Sequence, residues 1–376
     1  MSKLVLQTNT LKDLVNRAVK VCQGTECGLN GLMELSVKDN VFYIKTTNNT
    51  YFLTLNIKNV ECDSFHAVVN AKFFAQLISK ITTQSICLYV DGNKLVVEGN
   101  GTYNLELRFG SGDAPIVFPQ QEFDRNVEVV HLDSLQVKNI LSLNKSCKAK
   151  GRESGQYYDY YMDSERVLTM SDDRACLNKV KVFNTPVLVS PELFDLVPLV
   201  SDLNGVNVQS NLKNIDEVNH TIMLFTSDWG SLYGVSDMQF GVEEFMAERI
   251  VEAMSDKLPH EATINRTLLL NALDRICLFT QIFGNNVVEI NLNNEGIILK
   301  SHISNSVESI KFIQPIANVE PITAKIDGES LKEVINSCTK EDLTLNFGND
   351  KDLYINCDNV TQVVTFYAEN EEVEIG

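Results

Sequence analysis

The residues with the clearest chemistry in this sequence are basic and aromatic side chains that follow one another in one central stretch. The stretch, KSCKAKGRESGQYYDYY, has the densest run of positive charge in the chain. Its relevant members are Lys145, Lys148, Lys150, Arg152, Gln156, Tyr157 and Tyr158. Basic residues interleaved with aromatic rings suit a loop that contacts the phosphates of a nucleic acid. A solvated, flexible loop that binds nothing is the alternative.

Further basic residues lie on segments with helical periodicity. The segment NAKFFAQLISKI predicts an amphipathic helix with Phe73, Phe74 and Ile78 on its apolar face and with Lys72 and Lys80 turned to water. Four other predicted helices have basic residues too, namely Lys12, Arg17 and Lys20; Lys138 and Lys145; Arg266 and Arg275; Lys332 and Lys340. Any single lysine of this kind is most often simply solvated. In a chain of net charge -18, however, their repeated placement indicates that they share a role.

These helices belong to six similar segments spaced along the chain. Each segment has a short strand, a residue suited to N-capping, an apolar residue one turn later, and then strands of period two. The predicted caps are Thr10, Asn70, Asp133, Ser190, Asn265 and Asp327, and the apolar residues are Leu14, Phe74, Val137, Phe194, Leu269 and Leu331. Six repeats at intervals of about sixty residues are hard to ascribe to chance. The predicted fold class is α+β, with a strand, a helix and antiparallel strands in each unit.

Pairs of these units predict three domains of about 125 residues, which is close to the commonest domain size. We expect the domains at residues 1–121, 122–258 and 259–376. The joints fall in polar stretches that contain Pro119 and Pro259.

Composition favours a cytoplasmic protein that has no contact with a membrane. The 376 residues include no apolar run of about 18 that could span a bilayer, and the start, MSKLVLQTNTLKD, lacks the apolar core of a signal peptide. The nine cysteines are scattered singly within apolar patterns, and none forms a C-x-x-C pair. We therefore expect reduced, buried thiols, and neither disulfides nor a zinc site.

The order and spacing of these segments resemble the bacterial β sliding clamp, the processivity subunit of the replicative DNA polymerase. The resemblance lies in AKFFAQLISKI, GNGTYNLEL, the tyrosine pair within GQYYDYYMDSERVLTMSDDRA, ITAKIDGESLKEVINS and TQVVTF. It covers nearly the whole chain but is loose in the second predicted domain. This divergence, with the acidic tail AENEEVEIG, is more typical of a phage-encoded or otherwise remote member.

The resemblance implies a head-to-tail homodimer that closes into a ring around double-stranded DNA, with helices lining the hole and sheets on the rim. It implies a replicative DNA polymerase and a clamp loader as further partners, and no cofactor. The basic residues of the helices would then face phosphate inside the hole, and the basic stretch matches a DNA-contacting loop of the family. Phosphate contacts have no sequence preference, and weak ones permit sliding. The fourth helical segment, SPELFDLVPLVSD, departs from the pattern because its only charges are acidic.

The resemblance also implies a dimer interface. The strand NLELRF, with Leu105 and Leu107, would pair with the third domain of a second copy, and Leu278 and Phe279 would supply the apolar contact. Family members often have arginines just before that strand, whereas this chain has Thr102 and Asn104.

A partner-peptide groove is the third site that the resemblance implies. Its expected residues are Ser171, Asp172 and Arg174, then Ile250 and Val251, and then Val364, Thr365 and Phe366. The family usually has Gly and His between the Asp and the Arg, where this chain has only Asp173, and the family's Met and Pro are absent from the last strand. Burial of Phe366 in the core is the alternative for that residue.

Two other classes of function stay open at this point. Catalysis has little support, because the histidines His66, His131, His220, His260 and His302 are spread singly and no phosphate-binding loop or nucleophile elbow occurs. A protein with the clamp fold that interacts with partners or inhibits them without encircling DNA is the other alternative. The acidic fourth segment favours it.

Overall fold

The computed structural model describes residues 3–22, 28–151, 155, 157–215, 218–238, 242–255, 257–282, 286–301, 303–348 and 351–367. The chain forms two compact units. Unit 1 comprises Met1–Val137 and Glu192–Asp237, and unit 2 comprises Lys138–Pro191 and Met238–Gly376. The division cuts through the second predicted domain, and the three domain boundaries stay a prediction.

All six predicted strand–helix–strand segments are present in the structure. The first two contain β1 (Leu4–Gln7), α1 (Thr8–Val19), β2 (Leu32–Lys38), β3 (Val41–Thr47), β4 (Tyr51–Lys58), β5 (Phe65–Asn70), α2 (Ala71–Lys80), β6 (Ser85–Asp91), β7 (Lys94–Glu98) and β8 (Thr102–Glu106). The next two contain β9 (Val130–Leu132), α3 (Ser134–Asn139), a π-helix (Ile140–Asn144), α4 (Lys145–Cys147), β10 (Tyr160–Met162), β11 (Val167–Met170), β12 (Arg174–Asn178), β13 (Val187–Val189), α5 (Pro191–Phe194), β14 (Val206–Ile215), β15 (Val218–Ser227) and β16 (Gly230–Met238).

The helix α6 (Ala247–Ala253) then precedes the last two segments. These contain β17 (His260–Asn265), α7 (Arg266–Gln281), β18 (Val287–Leu292), β19 (Gly296–Ser301), β20 (Val307–Lys311), β21 (Ile322–Asp327), α8 (Gly328–Ser337), β22 (Asp342–Phe347), β23 (Asp352–Cys357) and β24 (Val360–Thr365). Short 3-10 helices occur at Leu29–Gly31, Ser111–Asp113, Val197–Leu199 and Val242–Phe245.

Each unit contains one sheet of four strands and one of eight. The orders are β1-β6-β7-β8 and β5-β2-β3-β4-β16-β15-β14-β9 in unit 1, and β20-β19-β18-β21 and β13-β10-β11-β12-β24-β23-β22-β17 in unit 2. In every pair of segments, the first strand of each segment joins the sheet of the other, as β1 does with β6 and β5 with β2. This exchange explains why the segments come in pairs: a single segment cannot complete its own sheet.

Four of the six predicted N-caps are seen in the structure as side-chain hydrogen bonds to the backbone. The side chains of Asn70, Asn265 and Asp327 accept backbone N–H groups three residues later, at 2.8, 2.9 and 2.8 Å. Asp133 accepts in the same way from the backbone N–H of Gln136 at 2.8 Å. Thr10 was wrongly predicted as a cap, because α1 begins at Thr8, whose hydroxyl donates to the carbonyl of Thr83 and whose N–H donates to that of Gln84.

The apolar stripe of the helices is buried as expected. All six residues predicted one turn past the caps, from Leu14 to Leu331, lie in the core. The α2 stripe is narrower than predicted, because Phe74 and Ile78 are buried whereas Phe73 is 58% exposed. Phe73 precedes Phe74 by one residue, about 100° around the helix, and so falls outside the stripe.

Eight cysteines lie in the described part of the chain, and all eight are free thiols. Six of them, Cys22, Cys147, Cys176, Cys277, Cys338 and Cys357, are buried, whereas Cys62 and Cys87 are half-buried. In unit 2, Cys147 and Cys338 flank the buried amide of Gln362, whose Nε2 lies 3.7 Å from Cys147 Sγ and whose Oε1 lies 3.4 Å from Cys338 Sγ. These thiols therefore belong to the packed interior.

Candidate nucleic-acid and partner surfaces

The exposed lysines of α2 fit a phosphate-contacting surface. Lys72 and Lys80 are exposed, and neither forms a salt bridge within the described residues. They lie opposite the buried stripe of Phe74 and Ile78 because the helix buries only one face against the sheets. Lys20, just past the end of α1, and Lys138 in α3 are exposed as well.

On α1 the two remaining predicted cations differ from these. Lys12 is half-buried. Arg17 is tied into unit 1, since its Nε lies 3.0 Å from Asp13 Oδ2 and its Nη1 donates to the carbonyl of Leu199 at 3.3 Å. The Arg17 guanidinium also lies 4.0 Å from the centre of the Trp229 ring. We conclude that Arg17 stabilises the packing of unit 1. Because its charge is paired with Asp13, it is poorly suited to bind a phosphate.

The predicted cations of α7 and α8 are also engaged within unit 2. Arg266 donates to the last carbonyls of α8, to Ile335 O at 3.1 Å and Asn336 O at 3.0 Å, which stabilises the C-terminus of that helix. Arg275 donates two hydrogen bonds to the carboxylate of Glu308, of 2.6 and 2.9 Å. The hydrogen bond from Arg275 also holds the pKa of Glu308 below its ordinary value, so this pair is ionised at neutral pH.

The two lysines predicted on and just after α8 are paired too. Lys332 lies 3.1 Å from Asp274 and 3.3 Å from Glu329. Burial lowers the pKa of Lys332, but the hydrogen bond to Asp274 and the charge of Glu329 outweigh burial, so the pKa is raised. Lys340 pairs with Asp358. Sequence periodicity places Lys332 on α8 and Lys340 just past its end, but it does not reveal their acidic neighbours.

The central basic stretch forms one wall of a cavity in unit 2. The cavity has a volume of about 380 Å³, and Lys145, Lys148, Lys150, Arg174 and Glu333 line it. Lys148 lies 4.4 Å from the centre of the Tyr158 ring, which is a cation–π contact. One basic and one aromatic residue of the predicted stretch thus contact each other in the structure. Arg152 and Gln156 lie outside the described residues.

Glu333 joins the basic stretch to the predicted partner groove. Its carboxylate accepts from Lys150 at 2.8 Å and from Arg174 at 2.6 Å. Burial raises the pKa of Glu333, but the hydrogen bonds from the two cations outweigh it and the pKa is lowered. Sequence reasoning missed this bridge, because Glu333 is an ordinary polar position of α8 and its partners are more than 150 residues away.

The groove residues fall into two groups according to strand alternation. Val364 and Phe366 point into the core of unit 2, where they are 0% and 5% exposed beside Leu353 and Ile355. Because successive strand residues face opposite sides, Val363 points the other way. The predicted groove roles of Val364 and Phe366 are therefore not supported, and the alternative reading of Phe366 as a core residue is correct.

Val363 belongs to a second apolar cluster, which we call the groove cluster. Its buried members include Ile250, Phe245 and Tyr161, and half-buried Tyr157, Met170, Ala175 and Val251 pack against it. The rings of Phe245 and Tyr161 stack at 5.1 Å, and Tyr157 meets Phe245 edge-on at 5.8 Å. These half-buried side chains offer an apolar surface at the place where the sequence predicted a groove.

Polar residues of the predicted groove lie at the start of β12. The Ser171 hydroxyl lies 2.9 Å from Asp173 Oδ1, and the carbonyl of Asp173 accepts the backbone N–H of Thr365 at 2.8 Å. Arg174 is buried opposite Val364 in the β12–β24 register. Asp172 and Thr365 are exposed and thus accessible to a partner.

Edge strands and exposed apolar residues mark the predicted dimer surfaces. The strands β8 and β20 end the four-stranded sheets of unit 1 and unit 2. Leu278 and Phe279 near the end of α7 are 60% and 39% exposed, and the neighbouring Ile282 is 74% exposed. On the other surface, Leu105 is buried within its own unit and Leu107 is half-buried.

The described residues show no helix long and apolar enough to cross a membrane. Among the same residues, no group of three or more histidine, cysteine or acidic side chains is arranged to hold a metal ion.

The fold is that of the DNA sliding clamps, and it extends over nearly the whole chain. The DNA polymerase III beta chain of Streptococcus pneumoniae TIGR4 is similar over 98% of this chain and 100% of its own, at 12% identity and a TM-score of 0.79. The DNA polymerase sliding clamp of Bacillus subtilis is similar over 98% of this chain and 99% of its own, at 15% identity and a TM-score of 0.76.

The Helicobacter pylori beta clamp, solved with a bound DNA ligase peptide, is similar over 98% of this chain and 100% of its own, at 9% identity and a TM-score of 0.74. No protein-family model matches the chain, and no curated protein matches it either. TM-scores of 0.74 to 0.79 over nearly the full length of both chains establish a shared fold, and they confirm the predicted α+β clamp architecture.

Proposed function

We propose that the chain is a DNA sliding clamp, which encircles duplex DNA and tethers a replicative DNA polymerase to its template. The clamp fold over nearly the full chain, combined with exposed lysines on its helices, is the observation that carries the proposal. Lys20, Lys72, Lys80 and Lys138 supply positive charge in a chain whose net charge is -18. Such contacts are weak and indifferent to sequence, as sliding requires.

The proposal includes a homodimer. Its supports are the edge strands β8 and β20 and the exposed Leu278, Phe279 and Ile282, because an edge strand beside an apolar patch is suited to pairing with a second copy. Because Leu105 is buried in its own unit, we assign it to the support of β8 and assign the apolar contact to the α7 residues. A ring of this kind needs a clamp loader to open it, and it would act in the cytoplasm.

The polymerase would bind through a short peptide at the groove cluster. The half-buried Met170, Ala175 and Val251 would receive its apolar side chains, and exposed Thr365 would lie at the rim. The Helicobacter pylori relative was solved with a ligase peptide, which supports a peptide-binding role for this fold. The proposal assigns no catalytic activity to the chain.

The function can be tested by primer extension with the replicative polymerase of the same genome and with a trap for polymerase that dissociates. We expect the chain, once loaded on primed circular DNA, to lengthen the products made in one binding event severalfold. Product lengths that do not change with added chain would contradict the proposal.

A further inference from the structure

Unit 1 contains a second cavity that the proposed function does not use. Its volume is about 700 Å³, within the range of sites for peptides and small ligands. It is formed by the first two turns of α1, the end of β4 and the turn between β15 and β16. Leu14, Ile57 and Trp229 contribute its apolar walls, while Asn9, Thr10 and Asn56 contribute neutral polar groups. None of these residues belongs to the groove cluster or to the exposed lysines discussed above.

The backbone of Trp229 is anchored by hydrogen bonds at this cavity, and one side chain packs against its ring. Arg17 lies against its ring, its backbone N–H donates to the Ser227 hydroxyl at 3.0 Å, and its carbonyl accepts from the backbone N–H of Asn56 at 2.9 Å. The next residue, Gly230, has a φ of +149°, and a Cβ there would lie 2.0 Å from the carbonyl oxygen of Thr54. The turn therefore requires glycine after the tryptophan, and it presents a pre-organised aromatic wall to the cavity.

The charged residues that line the cavity are Asp13, Asp228 and Lys58. Asp228 is paired with Lys58 at 2.9 Å but is 80% exposed, so much of its carboxylate remains accessible. The hydrogen bond from Lys58 lowers the pKa of Asp228, which is therefore ionised at neutral pH. Asp13 uses one oxygen for Arg17 and is half exposed. With two carboxylates and one ammonium group, the charged lining has a net negative charge, and this favours a cationic partner over the phosphates of a nucleic acid.

One polar group in the wall is unpaired. The side-chain oxygen of Asn56 is buried and has no hydrogen-bond donor in the described part of the chain. A buried acceptor without a partner costs stability. Because Asn56 lines the cavity, a ligand N–H group such as a peptide amide is the kind of donor that its oxygen lacks.

We propose that this cavity is a second partner site, which binds a short extended peptide segment of another protein. An aromatic side chain of the peptide would enter between Trp229 and Ile57, and a neighbouring lysine or arginine would pair with Asp228. A peptide N–H would satisfy Asn56. Aromatic anchors in a pocket supply much of the energy in such contacts, and the charge pair would set the orientation.

The chain provides its own reporter for a test, because Trp229 is its single tryptophan. The probe is the capped tripeptide Lys-Phe-Lys, titrated into the full-length protein while tryptophan emission is followed. We expect a saturable change in emission with Lys-Phe-Lys and at least a tenfold weaker response with capped Lys-Ala-Lys or Glu-Phe-Glu. An equal response to all three peptides, or a stronger one to octathymidylate, would overturn the proposal, the last by indicating a nucleic-acid site.

Variants separate the site from general electrostatics. Asp228→Lys should weaken Lys-Phe-Lys binding about tenfold, whereas Asp91→Lys, the same charge reversal at an exposed position outside the cavity, should leave it unchanged. In calorimetry, Trp229→Phe should retain binding within about threefold and Trp229→Ala should abolish it. If Asp91→Lys weakens binding as much as Asp228→Lys, or if Trp229→Ala binds normally, the site is wrong. Dimer mass and DNA retention should be the same in all four variants, so failure here is distinguishable from failure of the clamp function.

Discussion

Replacing Lys72 and Lys80 with glutamine tests whether α2 contacts DNA. Both side chains are exposed and lie opposite the buried stripe, so the double variant should fold normally, with a change in unfolding free energy within about 0.5 kcal/mol. Each phosphate contact contributes about 0.9 to the slope of log K against log salt concentration. Loss of two contacts should therefore reduce that slope by about 1.8 for each chain that contacts the DNA.

The assay is fluorescence anisotropy of a labelled duplex at several salt concentrations. When salt is raised from about 50 to 200 mM, the affinity of the variant for DNA should therefore fall by a factor roughly tenfold smaller than that of the parent protein. The matched control is Lys38→Gln with Lys94→Gln, which removes the same charge from exposed strand positions of unit 1. The control should keep the original slope. If the slope falls equally in both double variants, the effect is due to the overall charge of the protein. If it falls in neither, α2 does not contact DNA.

Three further outcomes follow from the contacts described. Val251→Asp changes a half-buried groove position, so it should abolish stimulation of the polymerase and leave the thermal melting temperature unchanged. Val364→Asp should unfold the protein, because it buries a charge in the core. A well-folded Val364→Asp protein would place that residue at the surface. Phe279→Asp should lower the mass in light scattering from twice the 42.2 kDa chain mass to that mass, and a dimer that persists would move the interface elsewhere. Because the pKa of Glu333 is lowered, its pairing stabilises the fold above the ordinary pKa of glutamate, and the stabilisation is lost as the pH falls through the lowered pKa. Glu333→Gln should therefore lower the urea midpoint at pH 7, and the difference from the parent should shrink as the pH is lowered into the acid range. A difference that does not change with pH would contradict that pairing.

Local features of the fold were predictable from the sequence because they depend on nearby residues. The caps at Asn70, Asn265 and Asp327 each need only an oxygen and an N–H three residues later, and the buried stripes need only the helical period. The start of α1 was not predictable in this way. Thr8 is fixed by the carbonyls of Thr83 and Gln84, which are distant in sequence.

The candidate sites were only partly predictable for the same reason. Period two shows that Val363 and Val364 face opposite sides of β24, but only the packed structure shows which side holds the core. The helical period places Arg275 on the polar face of α7, but it does not show that Arg275 pairs with Glu308, which is 33 residues away. The cavity at Trp229 joins three segments that are far apart in sequence, so no motif indicates it.

Encirclement of DNA is the central claim, and retention on a nicked circular plasmid tests it most directly. The protein is loaded on the circle, free protein is removed by gel filtration in moderate salt, and half of the sample is then linearised. A ring held by topology should stay with the circles and be lost from the linear molecules as it slides off their ends. Release from circles and linear molecules at the same rate would contradict the account.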